Sequence, residues 1–525
     1  MNNLSFSNSI LILLLIIITP EFGTSQNKVA PSEINFVRQA VKRIIFDESQ
    51  AIPLTELHPE KIIGKGTMYP VNFYTKTKPE IYINEDLLVV KSMQETKAGI
   101  WFGGFNPFAT YIIELDSLSG HGEVGFEFSD RSKKNQFIVT TEFDGNLLTD
   151  VNLMVTKDSN IVVKESIRVN LVPDHELKGK LILQMLGSGL TYYHKNKGLP
   201  VVIGQVDFNK YLDLRQKSIL QSFQSNLYVH LINGTVSLNA VKSVLSAGVG
   251  LSDIRVITYE NGDPMIDKGR LWYTMSIRGR ALPHHIQGVF SMNPTVFDIR
   301  MEGIIVFDRD DGLLRNEIAS HIFYDRKSKI WHGLTTGFSA YANIESEKKQ
   351  LLAIESKNDP RFGFSVMKAT KFGMVGDIED PHILYDNKAG KWRILTCENS
   401  NGYKAVMLES DHWNKGYTKI AGPVKYNSTG TSIMKIGGTR YCFSGSSERD
   451  IFIYTYPELE ELGTLKMDLP PWNSKSGTRV WPNVVELPQG YSFRYIALMM
   501  DRLNYPGLNG PNWSYGALYL YHGFE

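Results

Sequence analysis

The chain has 525 residues, with 56 Lys and Arg balanced by 55 Asp and Glu. That length is too great for one small core and implies two or three domains. The near-zero net charge removes any electrostatic case for nucleic acid or an anionic membrane surface as partner. An aromatic content of 11% suits a β-rich protein, and equally one whose surface stacks on sugar rings.

Residues 1–25 read as an export signal. The apolar run Ile10–Ile18 is too short to span a bilayer and is followed by Thr19-Pro20 and the small residues Gly23-Thr24-Ser25. No cysteine follows the run, which excludes a bacterial lipoprotein anchor, and no later segment is apolar and long enough for a membrane helix. The expected product is secreted or periplasmic, with no membrane anchor. Nothing in the sequence sets an oligomeric state.

Residues 26–79 read as an N-terminal helical and linker segment. Its clearest element is a helix over 32–46, because Ile34, Val37, Val41, Ile44 and Ile45 fall on one helical face with Ser32 placed to cap. Residues 80–250 change to short alternating runs such as GEVGFEF and NLYVHLI, split by Gly, Asn and Asp, and predict a jelly-roll-like antiparallel β-sandwich. A further helix is expected near 209–222.

From 251 to the end an internal repeat predicts a five-bladed β-propeller, so the fold class is all-β. Five segments share one layout, a short strand near a proline, a turn and an aromatic-rich strand. They cover 261–276, 316–337, 376–397, 430–445 and 479–498, with turns near Gly269, Lys329, Gly390, Gly438 and Gly490. The third opens GDIEDPH, where Asp377, Glu379 and Asp380 crowd one strand lip. Crowded anions raise the pKa of one of their number and keep it protonated. Strand alternation sends Glu379 to one face and Asp380 to the other, so the two carboxyls do different jobs.

With the repeat in place, the chain resembles the five-bladed propeller superfamily of glycoside hydrolases, which includes families 43, 32 and 117. Asp263-Pro264 with GRLWYTMS looks like the first-blade motif of family 43, and Glu379-Asp380-Pro381-His382 looks like its Glu-Gly-Pro-His motif. The resemblance implies that Asp263 is the general base and Glu379 the general acid. It also implies catalysis by paired carboxylates on an oligo- or polysaccharide of plant or algal origin, without a cofactor. A third acid of the family pattern has no clear counterpart. Glu317 stands in the intervening repeat, Ala319 aligns with Asp380, and the acid motif falls on the third repeat where the family has it on the fourth. Asp380 and Glu317 therefore share the candidacy for acid with Glu379. The histidine acid of family 117 keeps His321 and His382 in play.

Weaker candidates complete the site. Arg479 and Trp481 open the fifth repeat, as a hydroxyl or carboxylate binder and a stacking ring. Arg278, His284 and His285 follow the first repeat in a position to reach the channel mouth. The His pair lacks metal-site spacing, so no metal is assigned. Asp308-Arg309-Asp310-Asp311-Gly312 hints at structural calcium but has Ala319 where an EF-hand needs Glu, and reads better as a polar turn. Cys397 and Cys442 lie in apolar strands and read as buried, reduced thiols. Two rival functions stay open: a non-catalytic glycan-binding propeller, and a polysaccharide lyase using His382 and Arg479.

Overall fold

The computed structural model describes residues 29–62, 64–169, 175–447, 449–473 and 480–525. The export signal and Arg479 lie outside the described residues. Among these, strands dominate and fall into two bodies of sheet.

The first body is the sandwich. Thirteen strands belong to one sheet that is built on two long strands, Thr110–Ser129 and Gln224–Leu245, paired along their length. One half of Thr110–Ser129 pairs with Gly179–Met185 and the other with Gln136–Asp144, so the sheet divides and folds over itself. Phe126, Phe128, Phe137, Tyr111 and Tyr192 fill the space between the layers. Strands Ile52–Leu57 and Val71–Phe73 also join this sheet, so part of the stretch expected to be a linker belongs to the sandwich. Of the helix expected near 209–222, only Lys217–Ser222 is helical.

The second body is built of successive antiparallel meanders. Their first strands are Leu251–Val256, Ile318–Asp325, Ile378–Asp386, Thr429–Ile436 and Val484–Glu486. These inner strands meet their neighbours in cyclic order, the last meander returning to the first, which is the arrangement of a β-propeller. The turn residues read from the sequence are hairpin turns in the left-handed region, among them Lys329 (φ 59°), a position that usually favours glycine. The first repeat is displaced, because its inner strand is Leu251–Val256, ahead of the segment that carries Asp263.

The helix expected over 32–46 is instead the strand Asn35–Arg43. It pairs antiparallel with Ala517–Phe524 on one side and parallel with Lys466–Met467 on the other, and so completes the last meander. Phe36 and Ile34 are buried, whereas Val37 and Val41, two of the residues that defined the helical face, are exposed. A partner nearly the whole chain away overrides the local periodicity, as tertiary pairing routinely does for short apolar patterns. Burying a side chain such as Phe36 contributes roughly 1.5–3 kcal/mol to holding that closure.

The two bodies are pinned together by polar contacts. The buried Asn316 amide donates to the carbonyls of Leu186 and His285, at 3.3 and 2.8 Å, and Gln205 donates to the carbonyl of Gly507 at 2.8 Å.

Candidate active site at the channel mouth

Four of the inner strands carry the same irregularity near their starts. The pairing register slips between Ser252 and Arg255, Ile318 and His321, Glu379 and His382, and Thr429 and Ser432. Within each slip one residue is left-handed: Asp253 (φ 52°), Ala319 (57°), Asp380 (61°) and Gly430 (59°). A bulge of this kind re-aims a side chain, and left-handed backbone at non-glycine residues concentrates at functional sites. Here the repeat brings Asp253 and Asp380 to one mouth of the channel. They line a cavity of about 510 Å³ together with Arg278, Glu379, Trp481 and Trp513. The fourth position is glycine for a steric reason, since a Cβ on Gly430 would lie 2.7 Å from the Trp481 ring.

Asp380 is buried. Its Oδ2 accepts from the Gly430 amide at 2.8 Å and stands 3.9 Å from the Cys397 thiol. Burial, and next to it the charge of Glu379, raise its pKa to about 7, while Arg255 pulls the other way. Glu379 is held differently. Its Oε2 accepts from Lys349 Nζ at 3.0 Å, and Lys349 also bridges to Asp377 at 2.8 Å and donates to the Tyr403 hydroxyl at 2.7 Å. Burial would lower the Lys349 pKa, but its two carboxylate neighbours hold the ammonium charged. The strand lip thus separates its acids into an ion-paired group around Lys349 and one carboxyl kept neutral.

Across the mouth, Asp253 Oδ2 accepts from Arg278 Nη2 at 2.6 Å. Arg278 is also held by His285 Nδ1 at 2.6 Å and by Ser252. Burial lowers the His285 pKa well below its usual value, which keeps the ring neutral and able to accept. His285 therefore orients Arg278 behind the cavity. His284 turns away, to Asp207 at 3.3 Å.

One layer further into the channel stand Arg255, His321, His382 and Ser432, each two residues beyond the bulge position of its strand. His321 and His382 stack with ring centroids 3.9 Å apart, and burial lowers both pKa values, so this layer is neutral apart from Arg255. Both histidines lie beneath the cavity and do not line it.

Two sequence candidates fall elsewhere. Asp263 follows the end of the first inner strand and lines a second cavity, of about 710 Å³, with Glu486 and Arg494. The first cavity is lined by the starts of the inner strands and the second by their ends, so Asp263 sits at the opposite mouth from Asp380. Glu317 is buried away from both, clamped by Arg309 and by the Ser339 amide and hydroxyl at 2.9 and 2.8 Å. At the cavity that Asp380 lines, the acid from the first inner strand is thus Asp253; Asp263 lies away from it, and Glu317 braces Arg309 and the Ser339 segment. The acids of the calcium-like turn are taken by cations: Asp308 by Lys217 at 2.5 Å and Asp311 by Arg315 at 2.6 Å. Cys397 and Cys442 are both buried and are not joined in a disulfide.

Asp253 was legible in one way. SDIRVI (252–257) lies in phase with EDPHIL (379–384) and IASHIF (318–323), and that alignment places Asp253 opposite Asp380. Lys349, Tyr403 and Trp513 reach the mouth from connecting segments and outer strands, and carry no such signal.

Comparison with known protein families gives no match, and comparison with curated proteins gives none. Among solved structures, a thermostable family-43 glycoside hydrolase is 14% identical, matching 53% of this chain and 90% of its own, with a TM-score of 0.32. A family 117 glycoside hydrolase of the marine bacterium Zobellia galactanivorans is 8% identical over 52% of this chain and 91% of its own, with a TM-score of 0.34. A putative exo-β-1,3-galactanase of Bifidobacterium bifidum is 13% identical over 52% and 87%, also at 0.34. These values assign no role to any residue of this chain.

Proposed function

We propose that the chain is an exported glycoside hydrolase that cleaves a glycosidic bond in the channel mouth, with Asp380 as proton donor and Asp253 as the opposing carboxylate. The observation that carries this reading is the pairing of a buried carboxyl, held neutral to about pH 7, with an Arg-paired carboxylate at the equivalent bulge of another blade. Glycoside hydrolysis needs that division of labour, one acid protonated beside the leaving oxygen and one anion on the other side of the ring. Glu379 then acts on Asp380 as a fixed neighbouring charge. Trp481 and Trp513 supply flat apolar walls against which a sugar ring stacks. A fragment of plant or algal polysaccharide is the proposed substrate.

The test is release of reducing sugar from a panel of plant and algal glycans by wild type, Asp380→Asn and Asp253→Asn. Turnover by wild type, lost in both variants with folding intact, supports the reading. A glycan-binding propeller is the second reading, favoured by one observation: Asp253 and Glu379 are each already committed to a cation. Binding without turnover across the panel selects it.

A further inference from the structure

One outward face of the sandwich carries chemistry that the propeller does not use. Along Thr110–Ser129, Glu123, Gly125 and Glu127 point away from the core residues Val124, Phe126 and Phe128. Register sets His230, Tyr228 and Asn226 directly opposite them, and Lys97, Gly99 and Trp101 opposite those in turn. The outer face of a sandwich layer is ordinarily solvated, yet Glu127 is 1% exposed and Asn226 2%.

Tyr74 makes the difference. Its ring stands over Tyr228, with centroids 6.3 Å apart and planes inclined by 25°, and its hydroxyl donates to Glu127 Oε2 at 2.7 Å. Lys133 closes on the same carboxylate. Gly99 makes room for this approach, because a Cβ there would lie 2.7 Å from the Tyr74 hydroxyl. At the more open end Glu123 accepts from Thr140 at 2.7 Å and lies 3.4 Å from His230 Nδ1.

One member of this row stands out. Asn226 Oδ1 has no hydrogen-bond partner among the described residues, although buried amide oxygens are nearly always paired. It lies between Glu127 and Trp101, an acceptor at the floor of a row of rings and carboxylates.

We infer that this face is a second carbohydrate-binding site, taking a neutral glycan chain along the strand from Glu123 towards Asn226. The exposed Tyr74 ring and the half-buried Trp101 offer stacking surfaces, and Glu123 and Asn226 accept hydroxyl protons. The five strand residues from Glu123 to Glu127 span about 13 Å, the length of a short oligosaccharide. Carboxylates decide the charge class: Glu95, Glu123, Glu127 and Glu142 outnumber Lys97 and Lys133 along the row, so a sulfated or uronate chain is repelled. The site does not depend on the propeller being catalytic.

The experiment is affinity electrophoresis of the full chain in gels holding neutral arabinogalactan, xylan or agarose, with carrageenan as the anionic comparison. The variants are Tyr74→Ala, whose side chain is substantially exposed, and Glu123→Gln, which keeps shape and removes charge. Retardation in at least one neutral gel, weakened about tenfold in apparent affinity by Tyr74→Ala and several-fold by Glu123→Gln, supports the inference. Turnover of short oligosaccharides is expected to stay unchanged in both. Retardation equal to wild type in both variants overturns it, as does no retardation in any neutral gel, or retardation by carrageenan alone. Retardation abolished only by Trp481→Ala assigns the binding to the propeller mouth and overturns the sandwich site while leaving the glycosidase reading intact. Retardation sensitive to Tyr74 with no turnover on any glycan leaves the sandwich site standing and removes the glycosidase.

Discussion

Arg255 donates to the backbone carbonyl of Asp380 at 2.7 Å and not to its carboxyl. The same guanidinium reaches the carbonyl of Thr431, so one buried cation ties the first inner strand to the third and the fourth. Because the charge stops at the backbone, the carboxyl just above it is not drawn into a salt bridge. Trp481 covers the other side of Arg255, with the guanidinium 4.7 Å from its ring centre, and keeps the arrangement dry. The channel thereby braces the acid without ionising it.

The first prediction concerns Asp380 itself. Replacement by Asn should lower kcat by roughly 10²–10⁴-fold, the usual worth of a general acid. It should also stabilise the protein. The folded state holds this proton up to about pH 7, whereas an unfolded Asp releases it near its ordinary value of 3.8, so stability falls as pH rises through that interval. Thermal unfolding at pH 8 should show the variant several degrees above wild type, and the gap should close near pH 3.5. A variant less stable than wild type at pH 8 contradicts the protonated, buried assignment.

A second prediction separates the two carboxyls of the lip. Glu379 is a neighbouring charge that raises the Asp380 pKa, after burial itself. Glu379→Gln should therefore move the basic limb of the pH profile of kcat/KM to lower pH. If Glu379 were the proton donor, the substitution would abolish the rate and leave no limb to move.

The two mouths of the channel give a third prediction. Asp253→Asn should reduce turnover roughly 10²–10⁴-fold, while Asp263→Asn should stay within about twofold of wild type. The comparison is informative because the sequence alone ranks these residues the other way round. Gly-Asp-Pro before an aromatic strand matches a known motif, whereas SDIRVI matches only this chain's own repeats. The displacement of the first repeat by one strand is the physical reason. A blade's hairpins resemble each other, so a hairpin periodicity fixes the number of repeats more readily than which strand of each is innermost. Glu379, Asp380 and Trp481, read from strand starts that the repeat located correctly, do reach the cavity. Glu317 precedes a strand start by one position, and one position is enough to send a side chain behind the sheet.

The fourth prediction tests ring packing. A Cβ on Gly445 would lie 1.4 Å from the carbonyl oxygen of Val480, where the fourth meander meets the segment leading into the fifth inner strand. Backbone cannot yield as a flexible side chain can. Gly445→Ala should lower the melting temperature by more than about 10 °C or prevent soluble folding, beyond what an ordinary surface substitution does. Calorimetry or expression yield checks it.

The pairing of Asn35 with Phe524 has a consequence for dissection of the chain. The sandwich lies between the strand that finishes the propeller and the meanders that begin it, so it is an insertion and not a leading module. A single cut near residue 250 leaves the downstream piece with an unsatisfied sheet edge along Ala517–Phe524, and leaves its would-be partner attached to the wrong half. Separating the two bodies needs two cuts and a new junction that carries Asn35–Arg43 across the gap. For the same reason Asn35–Arg43, once made, waits for Ala517–Phe524, and the ring closes only when both strands are present.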